Sequence, residues 1–540
     1  MSLPLPTMRL RPATAAGQLR RSRPAAPGGD LGRGRPCRAT PPGGGPASDA
    51  KSKEQITPEK VLLADDNLFP YTVDGLPYPD VSIENVMQIP TLRKKLKKRP
   101  HPLRHCNNFG SGFVGDRDII GLNTVRYESV SSSGASCVDP HRSMDPDAVC
   151  TVGESWAIRS GPRADIYWEP ASVTAAVVTC GGLCPGLNDI IESITLALLD
   201  YGVPEDQILG IKYGLRGFTD RNIKPVPLTR ERVEGIHLKG GTMLGTSRGN
   251  AGVDQIVKKL DLWGIDMLYV LGGNGGNAAA WAIHEECIKQ GVLCSVVAVP
   301  KSIDNDILVI DRTFGFETAV EEAQRAILAA KVEASSARNG IGVVRLMGRQ
   351  SGFVALNASL ATGVVDICLI PEVKFEMEGK NGLMAYIEEV LATKGHCVIC
   401  VAEGAGQDIL ADEAQGTDPS GNPILEDVGA WLSQKIKDKF AKNVDVKYID
   451  PTYMIRAIPT TANDRIYCTV LGQGAVHAAF AGYTGITTGL VNTHFCYLPI
   501  PAIIAAPRLV DPRGRTWNRL KMQNGQPDFL NTPEDGAPWT

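Results

Sequence analysis

Two aspartates that could take part in phosphoryl transfer lie in one short turn, residues 301–306, with the sequence KSIDND. The turn directly follows the apolar run SVVAVP at residues 295–300. Phosphoryl transfer needs a cradle for the polyphosphate, a cation, cationic side chains on the moving group and a carboxylate that accepts the nucleophile's proton. Asp304 or Asp306 could supply this carboxylate, and Lys301 a positive charge. Paired aspartates in loops also commonly form turns or cap helices, so the neighbouring motifs decide between the two interpretations.

Two glycine-rich turns could provide the phosphate cradle that this chemistry requires. They are CGGLCPG at residues 180–186 and GGNGG at residues 272–276, and each follows an apolar run. Glycines after a strand let backbone N–H groups approach phosphate oxygens, and the N-terminus of a following helix favours negative charge. One such turn is equally well explained by tight packing, but two beside an Asp-Asn-Asp turn favour phosphate binding. No G-x-x-x-x-G-K-[ST] pattern occurs, which argues against a P-loop NTPase.

Short apolar runs separated by helical segments must position these turns. The runs are AAVVTCGG, DMLYVLGG, SVVAVP, IGVVRLMG, DICLIPE and HCVICVAEG, which begin at residues 175, 266, 295, 341, 366 and 396. Continuous rather than alternating apolar residues indicate parallel strands covered on both faces. Helices between them are predicted by an amphipathic segment at residues 316–328 and by an apolar stripe formed by Ile190, Ile191, Ile194 and Leu198. We therefore predict an α/β protein with two doubly wound, Rossmann-like lobes and with ligands at the carboxyl ends of the strands.

These motifs, in their order along the chain, resemble those of the 6-phosphofructokinase family. The family patterns are G-G-x-x-P-G-x-N, G-G-D-G-[ST], P-K-T-I-D-N-D, M-G-R, P-E and Y-x-x-R. Their counterparts here, some with departures, lie at residues 181–188, 272–276, 300–306, 347–349, 371–372 and 453–456. The segments FGFETAVEEAQRAI, KYIDPTYMIRAIP and AGYTGITTGLVNTHFCYLPI are similar to the plant and algal ATP-dependent branch, especially its plastid-type members. The resemblance extends over residues 60–530.

The resemblance implies an enzyme that uses ATP and Mg²⁺ to phosphorylate fructose 6-phosphate at its 1-hydroxyl, at an active site between the two lobes. The product would be fructose 1,6-bisphosphate, in the committed step of glycolysis. Asp304 would be the general base, with Asp306 beside it near the transferred group. Arg349 would bind substrate anions and offset the charge that develops during transfer.

The same resemblance implies two sets of binding residues. The ATP-binding set would be Gly182, Arg248, Gly249, Gly273, Asn274, Gly275 and Gly276. The substrate-binding set would be Ser302, Ile303, Asp304, Met347, Gly348, Arg349, Glu372, Lys447, Tyr453, Met454, Ile455 and Arg456. Within it, Glu372 would bind sugar hydroxyls. Lys447, Tyr453 and Arg456 would hold the 6-phosphate, since the forked donors of Arg fit phosphate geometry.

Four positions bear on the phosphoryl donor and on whether the chain is an active enzyme. Pyrophosphate-dependent relatives typically carry Asp at the position of Gly275, so glycine leaves room for ATP, although Lys301 is the residue that pyrophosphate users carry. Asn274 replaces the family's metal-associated Asp; it keeps an oxygen but loses the charge that Mg²⁺ prefers. Gly276 replaces a hydroxyl residue. ATP is the expected donor; a pyrophosphate-dependent enzyme and a catalytically weak regulatory subunit are the alternatives.

The chain divides by composition into a basic tail and an acidic body. Residues 1–50 hold eight Arg, no Lys and two Asp, whereas residues 51–540 hold 48 basic and 57 acidic residues. An Arg-rich, acid-poor leader without a continuous apolar core is typical of an organelle transit peptide, which indicates the chloroplast stroma; a disordered leader without a binding role is the alternative. Residues 51–170 are expected to form an N-terminal extension, part loop, with a regulatory role as one option, and residues 171–540 the catalytic domain. No apolar run reaches the roughly 18 residues that a membrane-spanning helix needs.

Thirteen cysteines occur in the chain, and two pairs of them suggest different roles. Cys397 and Cys400 on one strand would point to opposite faces and are expected to be buried thiols. Cys137 and Cys150 fall in a polar loop segment, where the redox state of the stroma could switch them and a thioredoxin-type protein would be the partner. The family resemblance also implies a homotetramer or related assembly under allosteric control by metabolites. RNA binding by the tail is not expected, since no aromatic residue is interleaved there for base stacking.

Overall fold

Two sheets with many parallel strands, and helices on both faces of each, form the described part of the chain. The computed structural model describes residues 72–73, 76–77, 87–104, 112–122, 156–247, 252–410, 416 and 424–530. Within these ranges no helix combines the length and the apolar character that crossing a membrane requires. The predicted leader and the redox candidates Cys137 and Cys150 lie outside the described residues.

The strands and helices have the following bounds. The strands are β1 (Thr72–Val73), β2 (Leu76–Pro77), β3 (Arg99–Pro100), β4 (Ile119–Gly121), β5 (Trp156–Arg159), β6 (Asp165–Ile166), β7 (Ala175–Thr179), β8 (Ile208–Ile211), β9 (Val226–Pro227), β10 (Met267–Gly272), β11 (Ser295–Pro300), β12 (Gly340–Leu346), β13 (Ile367–Leu369), β14 (His396–Ala402), β15 (Asp445–Ile449), β16 (Ile486–Val491) and β17 (His494–Pro499). The helices are α1 (Leu187–Tyr201), α2 (Arg216–Thr219), α3 (Arg230–Val233), α4 (Val253–Leu262), α5 (Asn274–Gln290), α6 (Phe316–Ser336), α7 (Phe353–Thr362), α8 (Leu383–Lys394), α9 (Val428–Phe440), α10 (Thr452–Ala457), α11 (Ala462–Phe480), α12 (Ile500–Ile504) and α13 (Arg515–Asn524).

The large sheet has nine strands in the order β4-β5-β17-β16-β11-β10-β7-β8-β9. Its five middle strands, from β16 to β8, are parallel, and the strands added at both edges are antiparallel. β7, β10 and β11 are buried at every position. Their neighbouring side chains enter cores on opposite faces of the sheet, as Val177 and Val178 show. This double burial explains why these strands are unbroken apolar runs in the sequence.

The small sheet has four parallel strands in the order β13-β14-β12-β15. Helices α6 and α7 cover one face, and α8 and α9 cover the other. On β14, Cys400 packs into the core on the face covered by α6 and α7, and Cys397 packs into the core on the face covered by α8 and α9. Both thiols are buried and free. The prediction of buried thiols on opposite faces of one strand is therefore confirmed.

The six predicted strands are present as β7 and β10–β14, and the two predicted helices are α1 and α6. The predicted fold class, an α/β protein with two doubly wound lobes, is confirmed. Part of the segment before residue 171 also belongs to the large sheet, because β4 and β5 extend it beyond β17. Asp116 fastens this segment by accepting hydrogen bonds from Arg163, at 3.1 Å, and from the Tyr483 hydroxyl, at 2.5 Å.

Candidate active site

Turns from both sheets meet at one cleft because the parallel strands end at matching levels. In the large sheet Gly272 lies opposite Pro300, and in the small sheet Leu346 lies opposite Ala402. The segments that follow these strands surround a cavity of about 260 Å³. The cavity is lined by Gly182, Leu183, Gly273, Asn274, Gly275, Lys301, Ser302, Ile303, Asp304, Asp306, Arg349, Gln350, Glu403 and Arg456.

Side chains within the turn after β11 hold this turn in shape. Asn305 has a left-handed backbone with φ of 58°, which Asn tolerates better than most residues. Its Oδ1 accepts a hydrogen bond from the Thr313 backbone N–H at 2.9 Å. Ser302 Oγ donates to the Asp306 carboxylate. The sequence pattern singles out the two aspartates, but the contacts of Asn305 and Ser302 also hold the turn in shape.

Asp304 is the carboxylate of the cleft that is best suited to exchange a proton. One of its oxygens, Oδ1, is buried and has no hydrogen-bond partner among the described residues. Burial, followed by the negative charges of Asp306 and Glu403, raises the pKa of Asp304 to about 7, against the opposite effect of Arg456 and Lys301. A base is most effective when its pKa lies near the working pH, so this carboxylate is suited to general base catalysis.

Three cationic side chains, Lys301, Arg349 and Arg456, line the same cleft. Lys301 is only 8% exposed. A Cβ added at Gly181 would lie 3.7 Å from Lys301 Nζ, which places this ammonium beside the first glycine turn. The same lining holds three carboxylates, Asp304, Asp306 and Glu403, so it is the placement of the cations next to glycine backbone, and not a net positive charge, that favours a phosphate-bearing ligand.

The second glycine turn leads directly from β10 into the N-terminus of α5, with Gly273 as its N-cap and no side-chain cap. The uncapped N–H groups and the helix dipole favour an anion there. A Cβ added at Gly275 would meet no atom within 4 Å, so this position borders open space. A Cβ added at Gly276 would instead lie 3.6 Å from Cys180, and Gly276 does not line the cleft.

Asn274, the first residue of α5, is oriented by the turn of residues 301–306, which we call the catalytic turn after the role expected for Asp304. Its Nδ2 donates to Asp306 Oδ2 at 3.2 Å. Its Oδ1 is buried and has no hydrogen-bond partner in the described part of the chain. The amide nitrogen is therefore engaged by the turn, whereas the amide oxygen is not engaged by any described residue.

Asn188, the second residue of α1, holds the loop that leads to the expected nucleotide contacts. Its Oδ1 accepts a hydrogen bond from the Met243 backbone N–H at 2.8 Å. Thr246 Oγ1 donates at 2.7 Å to a carbonyl of the first glycine turn, which joins the same loop to the cleft. Asn188 ends the first sequence motif, but only its contacts show this role. The two expected contacts that follow in the chain, Arg248 and Gly249, lie outside the described residues.

Two glutamates differ in their access to the cleft. Glu372 accepts hydrogen bonds from the Gly352 backbone N–H, at 2.9 and 3.1 Å to its two oxygens, and from the Val510 backbone N–H at 2.8 Å. Both of its oxygens are thus engaged, burial raises its pKa, and it does not line the cleft. Glu403, directly after β14, does line it. The structure thus places Glu403, and not the expected Glu372, in the lining of the cleft, and the position of Glu403 directly after a parallel strand is the sequence signal that could have found it.

The Y-x-x-R segment contributes only its last residue to the cleft, Arg456. Tyr453 and Met454 are 80% and 67% exposed, and Ile455 is buried. Lys447 lies on β15 and pairs with a neighbouring aspartate of that strand at 3.1 Å. The described chain thus brings Arg456 to the catalytic turn and leaves Tyr453, Met454 and Lys447 outside the lining.

The Met-Gly-Arg turn after β12 delivers Arg349 to the cleft. Met347 is 1% exposed and packs in the core, so its side chain does not line the cleft. Gly348 has φ of 131°, and an added Cβ would lie 2.4 Å from the Ser351 carbonyl oxygen. This turn requires glycine because both its backbone conformation and the surrounding space exclude a side chain.

Known proteins are similar to this chain in sequence and in fold. A family model described as Phosphofructokinase matches residues 174–479. The chain is 53% identical over 422 residues to the ATP-dependent 6-phosphofructokinase 5, chloroplastic, of Arabidopsis thaliana, with 78% of this chain and 76% of the relative covered. It is 42% identical over 380 residues to the ATP-dependent 6-phosphofructokinase of Borreliella burgdorferi, with 68% and 85% covered.

Solved structures with a similar fold include a phosphofructokinase and a pyrophosphate-dependent phosphofructokinase. The chain is similar to Saccharomyces cerevisiae phosphofructokinase with a TM-score of 0.51 and 25% identity, over 65% of this chain and 47% of that one. It is also similar to the pyrophosphate-dependent phosphofructokinase of Marinobacter aquaeolei, with a TM-score of 0.54 and 16% identity over 68% and 95%. At 16% identity the second likeness shows the fold alone.

Proposed function

The chain belongs to the phosphofructokinase family, and we propose that it phosphorylates fructose 6-phosphate at the 1-hydroxyl with ATP to form fructose 1,6-bisphosphate. The observation that carries this function is the cleft itself. It combines an uncapped helix N-terminus, three cationic side chains and the carboxylate of Asp304, whose pKa is about 7. These are the parts that transfer of a phosphoryl group to an alcohol requires.

In this reaction the 1-hydroxyl oxygen of the sugar attacks the γ-phosphorus, and the bond from the γ-phosphorus to the β–γ bridging oxygen breaks. ADP leaves with the bonding electrons, and Asp304 accepts the hydroxyl proton. Lys301 and Arg349, which line the cleft, offset the charge on the transferred group. Little covalent chemistry falls to the protein, so alignment and electrostatics supply most of the acceleration.

The sugar phosphate is assigned to the small-sheet side of the cleft. Arg456 would bind the 6-phosphate, since it is the residue of its motif that lines the cavity. Glu403 would accept hydrogen bonds from sugar hydroxyls, and Ser302 and Ile303 would contact the reacting end. Tyr453, 80% exposed, would join the site only if the 6-phosphate extends beyond this lining.

The nucleotide is assigned to the large-sheet side, between the two glycine turns. Gly182, Gly273 and Gly275 line this part of the cleft, and Gly275 borders open space. A carboxylate at Gly275 would place negative charge in the space that a nucleotide's phosphates need. This favours ATP over pyrophosphate, although Lys301 is shared with pyrophosphate users.

Mg²⁺ is the expected cofactor, and two residues fit it. Asn274 Oδ1 is a buried oxygen without a hydrogen-bond partner among the described residues, and the Asp306 carboxylate lies next to the same amide. Mg²⁺ usually binds through one or two carboxylates together with substrate phosphates rather than in an all-protein cage. Among the described residues, no group of three His, Cys, Asp or Glu side chains could hold a metal ion. When bound, Mg²⁺ would neutralise phosphate charge.

The compartment and the regulation follow as further parts of the proposal. Residues 1–50 would direct the chain to the chloroplast stroma, as a fluorescent fusion of these residues can test; the Arabidopsis relatives include two named chloroplastic.

Cys137 and Cys150 would form the redox pair. A Cys137→Ser variant that responds to reductant like wild type contradicts that assignment. A homotetramer would show in solution as four times the chain's mass.

The experiment that tests the function measures fructose 1,6-bisphosphate production by the purified full chain in an aldolase-coupled assay at saturating Mg²⁺. Asp304→Asn should reduce kcat by roughly 100- to 10,000-fold, the usual contribution of a general base. If wild type is active and Asp304→Asn has the same kcat, the proposed role of Asp304 is wrong. An inactive wild type would favour the regulatory subunit, the alternative that Asn274 raises.

A further inference from the structure

A segment near the C-terminus crosses from the catalytic turn to the other side of the cleft. Residues 505–510, which we call the strap, follow α12. Pro507 forms an antiparallel bridge with Ile307. The Arg508 backbone N–H donates to the Asp306 carbonyl oxygen at 2.9 Å. The strap is therefore bonded through its main chain to the turn that carries both aspartates.

The Arg508 side chain makes a second connection. Its Nη1 donates to the carbonyl oxygens of Ile310 and Asp311, at 3.0 and 2.7 Å. Its guanidinium carbon lies 4.9 Å from the ring centroid of Phe353, the first residue of α7, which packs on the small sheet. One side chain thus holds the segment after the catalytic turn against a helix that borders the other sheet.

The strap ends on Glu372, and the contacts of Glu372 lead back to the catalytic turn. The Val510 backbone N–H donates to Glu372 Oε1 at 2.8 Å, and the Gly352 backbone N–H donates to both carboxylate oxygens. Ser351 Oγ, one residue earlier, donates to the Asp304 carbonyl oxygen at 3.3 Å. These bonds form a closed circuit that runs from the catalytic turn through the strap and Glu372 and returns to Asp304.

We propose that the strap aligns the catalytic turn with the substrate side of the cleft, with Arg508 as a positioning residue and Glu372 as its anchor. The inference rests on the proposed function. Neither side chain lines the cleft, so each would act through Asp304 and Asp306 rather than on the substrate. In a reaction governed by alignment, a displacement of about 1 Å can lower the rate about 100-fold. A purely structural role predicts lower stability with unchanged kinetics.

The test compares full-length wild type with Arg508→Ala, Arg508→Lys and the matched control Arg519→Ala, which removes an exposed arginine of α13. We expect Arg508→Ala to lower kcat roughly 10- to 100-fold while KM for ATP and for fructose 6-phosphate changes less than about threefold. Arg508→Lys should recover part of this loss, since an ammonium can also donate to two carbonyls. Arg519→Ala should match wild type.

A second readout separates positioning from stability. Thermal unfolding of each variant, read beside kcat, supplies it: a positioning role lowers kcat in protein that is still folded at the assay temperature, whereas lower stability alone would lower Tm and leave kcat in place. Wild-type kcat in folded Arg508→Ala overturns the proposal, as does a lower Tm with unchanged kinetics. An inactive wild type overturns the proposed function as well, so the two failures are distinguishable.

If Arg508→Ala does not fold, Arg508→Lys and Glu372→Gln carry the same test. Glu372→Gln should lower kcat and leave KM for fructose 6-phosphate unchanged, because its carboxylate is bonded to backbone and not to sugar. A raised KM for fructose 6-phosphate with unchanged kcat would return Glu372 to the sugar and overturn the anchor role. If Arg508→Lys and Glu372→Gln both have the wild-type kcat, the proposed positioning role of the strap is wrong.

Discussion

Replacing Asn274 with Asp would bring a second carboxylate to within about 3.2 Å of Asp306, where Asn274 now donates a hydrogen bond. Two unit charges at that separation repel by about 5 kcal/mol at an effective dielectric constant of 20. This is an upper figure, because the side chains can rotate and one carboxyl can take up a proton. With Mg²⁺ bound, the second carboxylate becomes favourable. We therefore expect Asn274→Asp to be less stable than wild type without Mg²⁺ and to gain more stability from it.

Two measurements follow this substitution. Thermal unfolding with and without Mg²⁺ should show a lower Tm for Asn274→Asp that Mg²⁺ restores, and the Mg²⁺ concentration for half-maximal activity at fixed ATP should fall. Asn518→Asp is the matched control, since it makes the same charge change at an exposed position of α13. An unchanged Tm together with an unchanged Mg²⁺ requirement would refute the reasoning that positions 274 and 306 share one cation.

Three further outcomes follow from the geometry. The value of kcat/KM should fall about tenfold between pH 8 and pH 6, because Asp304, with a pKa of about 7, must be deprotonated to accept a proton; a profile that stays flat to pH 5 contradicts this. Gly348→Ala should lower both Tm and kcat, because its Cβ would lie 2.4 Å from the Ser351 carbonyl oxygen and the strain should cost roughly 1–3 kcal/mol of folding free energy. Wild-type values in thermal unfolding and in the coupled assay would show that the turn accepts a side chain. The free energy of unfolding should decrease below about pH 6.5, because burial lowers the pKa of His477, bonded to Tyr201 at 2.8 Å, to about 3, whereas an unfolded histidine takes up a proton. This one residue should cost about 1.4 kcal/mol at pH 5.5, and an equal pH effect in urea unfolding of His477→Phe would contradict the assignment.

The strands and the catalytic turns could be predicted because one physical cause determines both. A parallel strand buried on both faces must be apolar along its whole length, so β10 and β11 appear as uninterrupted runs in the sequence. Such strands end at one edge of their sheet, which is where the glycine turns and Asp304 were expected. The motifs then placed Lys301, Asp304, Arg349 and Arg456 together, and these four side chains do line the cleft.

The roles of the two glutamates could not be predicted, because they depend on backbone partners far away in the chain. Glu372 is engaged by Val510, 138 positions later, and this leaves Glu403 as the glutamate of the cleft. Asn188 and Asn305 likewise resemble ordinary loop or helix residues until their contacts with the chain are known. Periodicity and motif spacing report burial and order, but not which polar atoms the fold already engages.

The charge of the chain acquires a clearer meaning in the structure. The body after residue 50 is acidic, with 57 acidic against 48 basic residues, yet the proposed substrates are polyanions. The cleft holds three cations, Lys301, Arg349 and Arg456, beside three carboxylates, so its lining is not net positive. The placement of these cations next to the glycine turns, rather than net charge, would determine how the chain binds phosphate groups.

The most direct test of the account is the initial rate of fructose 1,6-bisphosphate formation by the purified full chain, measured with ATP and with pyrophosphate as donors at saturating Mg²⁺. The account predicts turnover with ATP and little or none with pyrophosphate, because Gly275 borders open space beside the uncapped N-terminus of α5. Product formed only with pyrophosphate, or with neither donor, would contradict it.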